Sequence, residues 1–420
     1  MTRPFRAEVI AIGDELTSGQ RLDTNSQWIS TELGLLGVPV VFHTTVADTL
    51  AAGVEAFRIA CGRADVVVAT GGLGPTADDL TRDVLAAVSN APLEPSLEAL
   101  KDVESRFATR KALMTPSNRR QALFPRGSRI IPNPEGTAPG IDLDVDRPGG
   151  GQSRVFALPG VPVEMRTMWR GSVAECIMRM HPEAGVIIHR RIKCFGAGES
   201  AIEAMLPNLI DRDRIPLVGI TAHEATITLR ITARGPTAAD CLAAIAPTEE
   251  TIRAGLGQLV YGIDDDEVED AVIHLLHESQ QTLATLEIGT AGRVAEFLAG
   301  AEMALSRNKL APIGQLGQPT QNPSAATAAC GGYCGGIVLP DSLLSASALA
   351  EQARTTFHTT LGLAVGILRP APEGRTAVDI AIASESGTEQ IEHLLGGGES
   401  LAMSRAAKTA INLLRLGGSR

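Results

Sequence analysis

The chain has 420 residues, enough for two or three domains with sizeable cores. Its 48 Asp and Glu against 37 Lys and Arg leave a net charge of −11, which argues against a general binder of nucleic acid or anionic membrane. Aromatic residues make up only 3%, so stacking platforms for bases are scarce and the core must be built from Val, Ile, Leu and Ala. No apolar run approaches a membrane span, and none follows Met1–Arg6. Cys61, Cys176, Cys194, Cys241, Cys330 and Cys334 are scattered and fit no zinc spacing, so a reduced, cytoplasmic protein is expected.

In chain order, Glu8 to Gly13 reads as a first strand, followed at once by Asp14 and Glu15. Carboxylates just past the end of a parallel strand face the crevice where α/β proteins bind ligands. Thr24 or Asn25 can cap a helix to about Leu36, with Gly37 as its stop. Val38–Val46 gives a second strand, again followed by an acid, Asp48, and by a helix from Leu50 to Arg63. Val66–Ala69 is a continuous apolar run suited to a strand buried on both faces.

That third strand ends in Thr70, Gly71, Gly72, Leu73 and Gly74, and Pro75 stiffens the exit. Thr76 and Asp79 form a [ST]-x-x-[DE] capping signature, predicting a helix start with Asp78 and Asp79 in its first turn. A strand ending in a glycine turn that opens a helix suits phosphate. The loop has no P-loop lysine and no G-x-G-x-x-G. Carboxylates beside a phosphate-sized nest would repel a bare phosphate, so a divalent cation is the natural mediator. The alternative is a plain glycine-rich turn whose acids only complement the helix dipole.

The next stretch reads as helical from Leu97 to Leu123, then extended at Arg129–Ile131. Asn133 to Gly140 is too rich in Pro and Gly for a regular element and is expected to be an ordered loop. Arg147–Arg154 reads as a surface turn, and Val155–Leu158 as a last strand entering a second turn, Pro159-Gly160-Val161-Pro162, with Glu164 in the helix that follows.

Taken together, Gly13-Asp14-Glu15-Leu16, Thr24-Asn25-Ser26, Thr70 to Thr76 with Asp78-Asp79-Leu80-Thr81, Asn133-Pro134 with Gly136-Thr137-Ala138-Pro139-Gly140, and Leu158 to Pro162 with Glu164-Met165 closely resemble the CinA family (competence/damage-inducible protein A). The resemblance implies an α/β, doubly wound, molybdopterin-binding-like domain over residues 1–172, associated with metal-dependent hydrolysis of the pyrophosphate of ADP-ribose and related nucleotides. It places Asp48 and Asp79 where related molybdopterin-handling enzymes keep essential carboxylates, and the family's glycine loop on Gly71, Gly72 and Gly74. Asp48, Asp79 and Glu15 are the expected catalytic acids. Asp14, Glu15, Asp78, Asp79 and Glu164 are the candidate ligands for Mg²⁺, Mn²⁺ or Co²⁺. Asn25, Thr70, Gly71, Gly72, Gly74, Thr76, Asn133, Gly136, Thr137, Gly140, Pro159 and Gly160 are the expected substrate contacts.

The resemblance continues over residues 173–263 as the family's small KH-like α+β module. Ile227, Leu229 and Ile231 alternate as on a half-buried strand, and Pro236–Leu256 reads as an amphipathic helix. The module lacks the Gly-x-x-Gly of an RNA-clamping KH loop, which favours a structural or dimerising role and a homodimer. Residues 264–420 correspond to the family's nicotinamide-nucleotide deamidase domain, an α/β domain. Here Ile288 of Glu287-Ile-Gly-Thr-Ala-Gly292 stands where the family has its serine nucleophile. Without a hydroxyl or thiol no acyl intermediate forms, so deamidase activity is expected to be lost. A strand over Leu283–Glu287, helices from Thr290, over Ser345–Leu361 and Glu399–Leu416, and a strand over Val378–Ala383 are expected. Ala325–Gly336 reads as a packed helix end and loop, with Cys330 and Cys334 in the core. The competing functions are a non-catalytic molybdopterin or nucleotide binder and an RNA-associated scaffold.

Overall fold

The computed structural model describes residues 5–183, 185–211, 213–223, 226–309, 331–396 and 399–417. They gather into two compact units, residues 1–188 with 233–244 and residues 189–232 with 245–420. In the first, a six-stranded sheet runs in the order Val40–Val46, Ala7–Ile12, Val66–Thr70, Gln152–Leu158, Gly140–Asp146, Arg129–Ile131. The first four strands are mutually parallel and the last two join antiparallel.

Val66–Thr70 lies at the centre because it can be buried on both faces. Val67 and Ala69 pack with Phe57 and Leu85 in one core, and Val66 and Val68 pack with Ile29, Met165 and Trp169 in the other. The register levels the parallel strand ends: Ile12 lies opposite Val46, Ala11 opposite Thr70, and Thr70 opposite Leu158. From Ala7–Ile12 the chain moves outward to Val40–Val46, then crosses back to Val66–Thr70 on the other side. The crevice between Ile12 and Thr70 is therefore a topological switch point, the place where open α/β sheets bind ligands.

Several local expectations are corrected. The cap of helix Thr24–Leu35 is Asp23, whose carboxylate accepts the Ser26 N–H at 2.9 Å, not Thr24 or Asn25. The helix after the glycine loop starts at Thr81, beyond Asp78 and Asp79, because the Thr76/Asp79 signature closes a turn inside the loop. The Leu97–Leu123 stretch divides into helix Leu97–Thr109 and a 3₁₀ segment, Pro116–Ala122. Gly140–Asp146 is a strand. Buried Ile141, Leu143 and Val145 alternate with Asp142, Asp144 and Asp146, which is the period-2 pattern of a strand. The surface turn shrinks accordingly to residues 147–151.

Leu217–His223, Thr226–Gly235, Val186–Phe195 and Val260–Ile263 form a separate four-stranded sheet in that order, most of whose residues belong to the second unit, with helix Ala238–Leu256 following Thr226–Gly235 in the chain. The C-terminal sheet runs Gly332–Val338, Thr282–Glu287, Leu361–Val365, Arg375–Ser384, Arg369–Ala371, with Gly387–Leu395 also paired to Arg375–Ser384. Gly332–Gly336 therefore belongs to a strand parallel to Thr282–Glu287, and Cys334 is exposed rather than in the core. Ala325–Cys330 lies outside the described residues. Helix Ala346–Phe357 ends where His358 turns left-handed at φ 53°, so Leu361 opens a strand rather than closing the helix. Helix Arg293–Lys309 starts after Thr290. Among the described residues no helix is long and apolar enough to cross a membrane.

Candidate functional site

The level strand ends, together with the 137–138 and 159–164 segments, surround a cavity of ≈ 530 Å³. Glu15, Asp48, Asp78, Asp79 and Glu164 line it, as do Gly71, Gly72, Gly74, Thr137, Pro159 and Gly160. A recess of ≈ 50 Å³ shares Glu15, Arg21 and Gly160 with it and adds Asn25 and Thr70. Asp14, Thr76, Asn133, Gly136 and Gly140 line neither.

The glycine loop is shaped by what touches it. Gly71 has φ 108° and a side chain there would strike the Ile12 carbonyl; at Gly72, φ 63°, it would strike Thr81 Oγ1. Both positions need glycine. The Gly71 N–H is donated to Leu158 O at 3.0 Å, and the Gly74 N–H to Asp79 Oδ1 at 2.8 Å, so neither is free for phosphate. Asp79 also accepts the Thr76 N–H at 2.8 Å and the Thr76 hydroxyl. The loop N–H groups of Gly72 and Leu73 have no partner among the described residues. Beneath the loop, buried Arg82 donates Nη1 to Leu73 O at 2.9 Å, while its Nε and Nη2 have no partner. Burial, opposed by nearby Asp79, pushes this guanidinium down to about 10.

Asp14 and Asp48 clasp each other. The Asp14 N–H donates to Asp48 Oδ2 at 2.8 Å and the Asp48 N–H to Asp14 Oδ1 at 3.1 Å, tying two strand ends together. The Asp48 carboxyl is raised above the ordinary aspartate value, first by burial and then by the charges of Asp14, Glu15 and Asp78, against the lowering hydrogen bond from Asp14. The exposed Asp78 carboxyl is lowered by its hydrogen bond from Thr76.

The remaining expected contacts build walls. Asn25 Nδ2 donates to Thr70 Oγ1 at 3.1 Å and Gly160 O at 2.8 Å, joining helix Thr24–Leu35 to two strand ends. Asn133 donates Nδ2 to Ala138 O and to Glu164 Oε2, at 2.9 and 2.7 Å, and accepts the N–H groups of Glu135 and Gly136, which fixes the 133–138 loop. Gly136 is small because a Cβ would collide with the Glu164 carboxylate. Gly140 packs within its strand against the Ala157 carbonyl and Met168. Sequence reasoning missed Arg21, Arg82 and Gln121, whose amide donates to Thr137 Oγ1 at 3.2 Å. No motif marks them.

In the C-terminal sheet, the Glu287–Arg293 turn is closed from inside. Buried Glu287 accepts the Thr290 hydroxyl at 2.6 Å and the N–H groups of Val294 and Ala295 at 2.9 and 2.7 Å. Thr290 is fully buried.

Residues 8–179 match the family profile described as "Probable molybdopterin binding domain", and residues 189–262 match "Damage-inducible protein CinA KH domain". A CinA-like protein of Synechococcus elongatus is 34% identical over 98% of this chain and 97% of its own length. A CinA-like protein of Trichormus variabilis is 37% identical over 70% of this chain and 69% of its own. A crystal structure described as the protein CinA with unknown function, from Thermoplasma acidophilum, is 35% identical, covers 41% of this chain and 97% of that one, and superposes with a TM-score of 0.38.

Proposed function

Because the chain belongs to the CinA family and carries its molybdopterin-binding-like domain, we propose that the first unit hydrolyses the pyrophosphate of ADP-ribose or a related nucleotide with a divalent cation. The observation that carries this reading is the collection of five carboxylates and the free Gly72 and Leu73 N–H groups around one cavity at the switch point. Among the described residues no three His, Cys, Asp or Glu converge on a metal position. The donor set nonetheless suits Mg²⁺, Mn²⁺ or Co²⁺ arriving on the substrate, since Mg²⁺ on phosphates needs only one or two protein carboxylates. Such an ion supplies charge neutralisation and a more acidic bound water.

The chain's own groups divide the work. Asp48, raised above its ordinary value and with Oδ1 uncommitted, is the proton acceptor for the attacking water. Asp79 positions the glycine loop. Glu15, Asp78 and Glu164 face the cavity as metal-holding carboxylates, and the Gly72 and Leu73 N–H groups receive phosphate oxygens. The C-terminal domain is read as having lost deamidation, because Ile288 offers no nucleophile and the Thr290 hydroxyl is already donated to Glu287.

A screen of the purified protein against ADP-ribose, flavin adenine dinucleotide and nicotinamide mononucleotide with each metal tests this. The expected result is metal-dependent cleavage of a dinucleotide that stops on chelation. Full turnover in excess chelator would sink the mechanism. The commitment of Asp79 and Glu164 to hydrogen bonds favours a second reading, a molybdopterin or nucleotide binder without turnover. Tight binding with no product would select it.

A further inference from the structure

Among the described residues, the cavity wall holds a single cationic side chain. Arg21 lines both the cavity and the recess, whereas the other charged side chains on these walls, Glu15, Asp23, Asp48, Asp78, Asp79 and Glu164, are carboxylates. The segment carrying it is fixed at both ends. The Arg21 N–H donates to Glu15 O at 3.0 Å, and Asp23 caps the next helix through the Ser26 N–H at 2.9 Å. The guanidinium itself makes no hydrogen bond or ion pair among the described residues. It does not pair even with Glu15, whose carbonyl accepts the Arg21 main-chain N–H and whose side chain lines the same two spaces. A rigidly mounted backbone bearing an uncommitted fork of N–H donors beside an acidic cavity suits an incoming phosphate, since planar guanidinium matches phosphate oxygens two at a time.

We propose that Arg21 anchors a phosphate of the ligand and makes this site select nucleotides carrying a pyrophosphate over the bare nucleoside. The carboxylates demand a cation on one part of the anion; Arg21 supplies the only positive charge that the described residues of the walls provide. This inference rests on the nucleotide reading of the cavity, and its test reads binding rather than turnover.

The test measures affinity of the full chain, with Mg²⁺, for ADP-ribose, inorganic pyrophosphate and adenosine at two salt concentrations. Parent, Arg21→Gln, Arg21→Lys and a control at another exposed arginine, Arg58→Gln, are compared. We expect Arg21→Gln to weaken ADP-ribose and pyrophosphate roughly tenfold, the scale of one charge-assisted contact. Arg21→Lys should recover part of this loss, since it keeps the charge without the fork. Adenosine should not distinguish the proteins, and the melting temperature should be unchanged because the side chain holds nothing. Equal affinity of parent and Arg21→Gln for ADP-ribose, or an equal loss in Arg58→Gln, would overturn the assignment. A parent that binds neither phosphate-bearing ligand would overturn the nucleotide reading and the anchor with it.

Discussion

Asp79 shows how one carboxylate can shape a site without being free to do its chemistry. Its two oxygens accept the N–H groups of Gly74 and Thr76 and the Thr76 hydroxyl. In Asp79→Asn one oxygen becomes an NH₂ group facing a backbone donor, so isosteric replacement is not conservative here. We expect a loss of about 1–2 kcal/mol, the cost of leaving one or two loop donors unpaired, measured by denaturant unfolding, together with loss of turnover from a displaced loop. Asp48 makes a different prediction. Its raised carboxyl must be ionised to accept a proton, so kcat/KM should fall as pH drops through a value above the ordinary aspartate range of about 4. Asp48→Asn should remove that limb along with most activity. A pH profile flat to pH 4 in the parent would exclude Asp48 as the base.

At the scale of elements, the turn Glu287–Arg293 is a helix cap where the family resemblance implies an active site. Glu287 lies at the end of a central strand and collects the first N–H groups of helix Arg293–Lys309, while Thr290 is held against it. Glu287→Ala should therefore destabilise the second unit by about 3 kcal/mol, since it strands two buried donors and a part-buried one. Thr290→Ala should cost about 1 kcal/mol, and neither parent nor variant should release ammonia from nicotinamide mononucleotide. Ammonia release lost in Thr290→Ala would show instead that the nucleophile had moved by two positions. The elements most legible in the sequence were those with strong burial patterns. Val66–Thr70 and Leu50–Arg63 follow from apolar runs and spacing. Gly140–Asp146 carries the same kind of signal, Ile141, Leu143 and Val145 alternating with three aspartates; what only tertiary context explains is that Asp142 and Asp144 pair with Arg129 and Arg154. The acids at the strand ends were legible as a set, since period and topology deliver them together. Their partners were not. Whether a carboxylate faces a cavity or folds back on a neighbouring N–H, as Asp14 does, depends on register between strands distant in sequence. Arg21 and Arg82 carry no motif at all, and their roles follow from what surrounds them in space.

At the scale of the whole molecule, each unit contains a carboxylate that two cations hold below its ordinary value, Asp142 in the first and Glu267 in the second, and both should fail on the acid side. Burial alone would raise Asp142, but hydrogen bonds from Arg129 and Arg154 outweigh it and hold the carboxyl below its ordinary value. Likewise burial of Glu267 is outweighed by Lys408 and Lys193, and its carboxyl is also lowered. A carboxyl lowered in the folded state contributes stability in full above its unfolded value, about 4, and that contribution disappears as pH falls through the folded value. Stability of both units should therefore be flat from neutral pH to about 4 with respect to these groups, and decline below it. The two tryptophans allow the units to be read separately, because Trp28 and Trp169 pack edge to face in the first unit and the second contains none. Asp142→Asn should cost about 1–3 kcal/mol at neutral pH and flatten the acid decline followed by tryptophan fluorescence. Glu267→Gln should leave that signal unchanged and flatten the decline of helicity carried by the second unit, with a smaller cost, under about 1 kcal/mol, because this side chain is more than a third exposed. An acid decline in tryptophan fluorescence as steep in Asp142→Asn as in the parent would show that other carboxylates control the first unit.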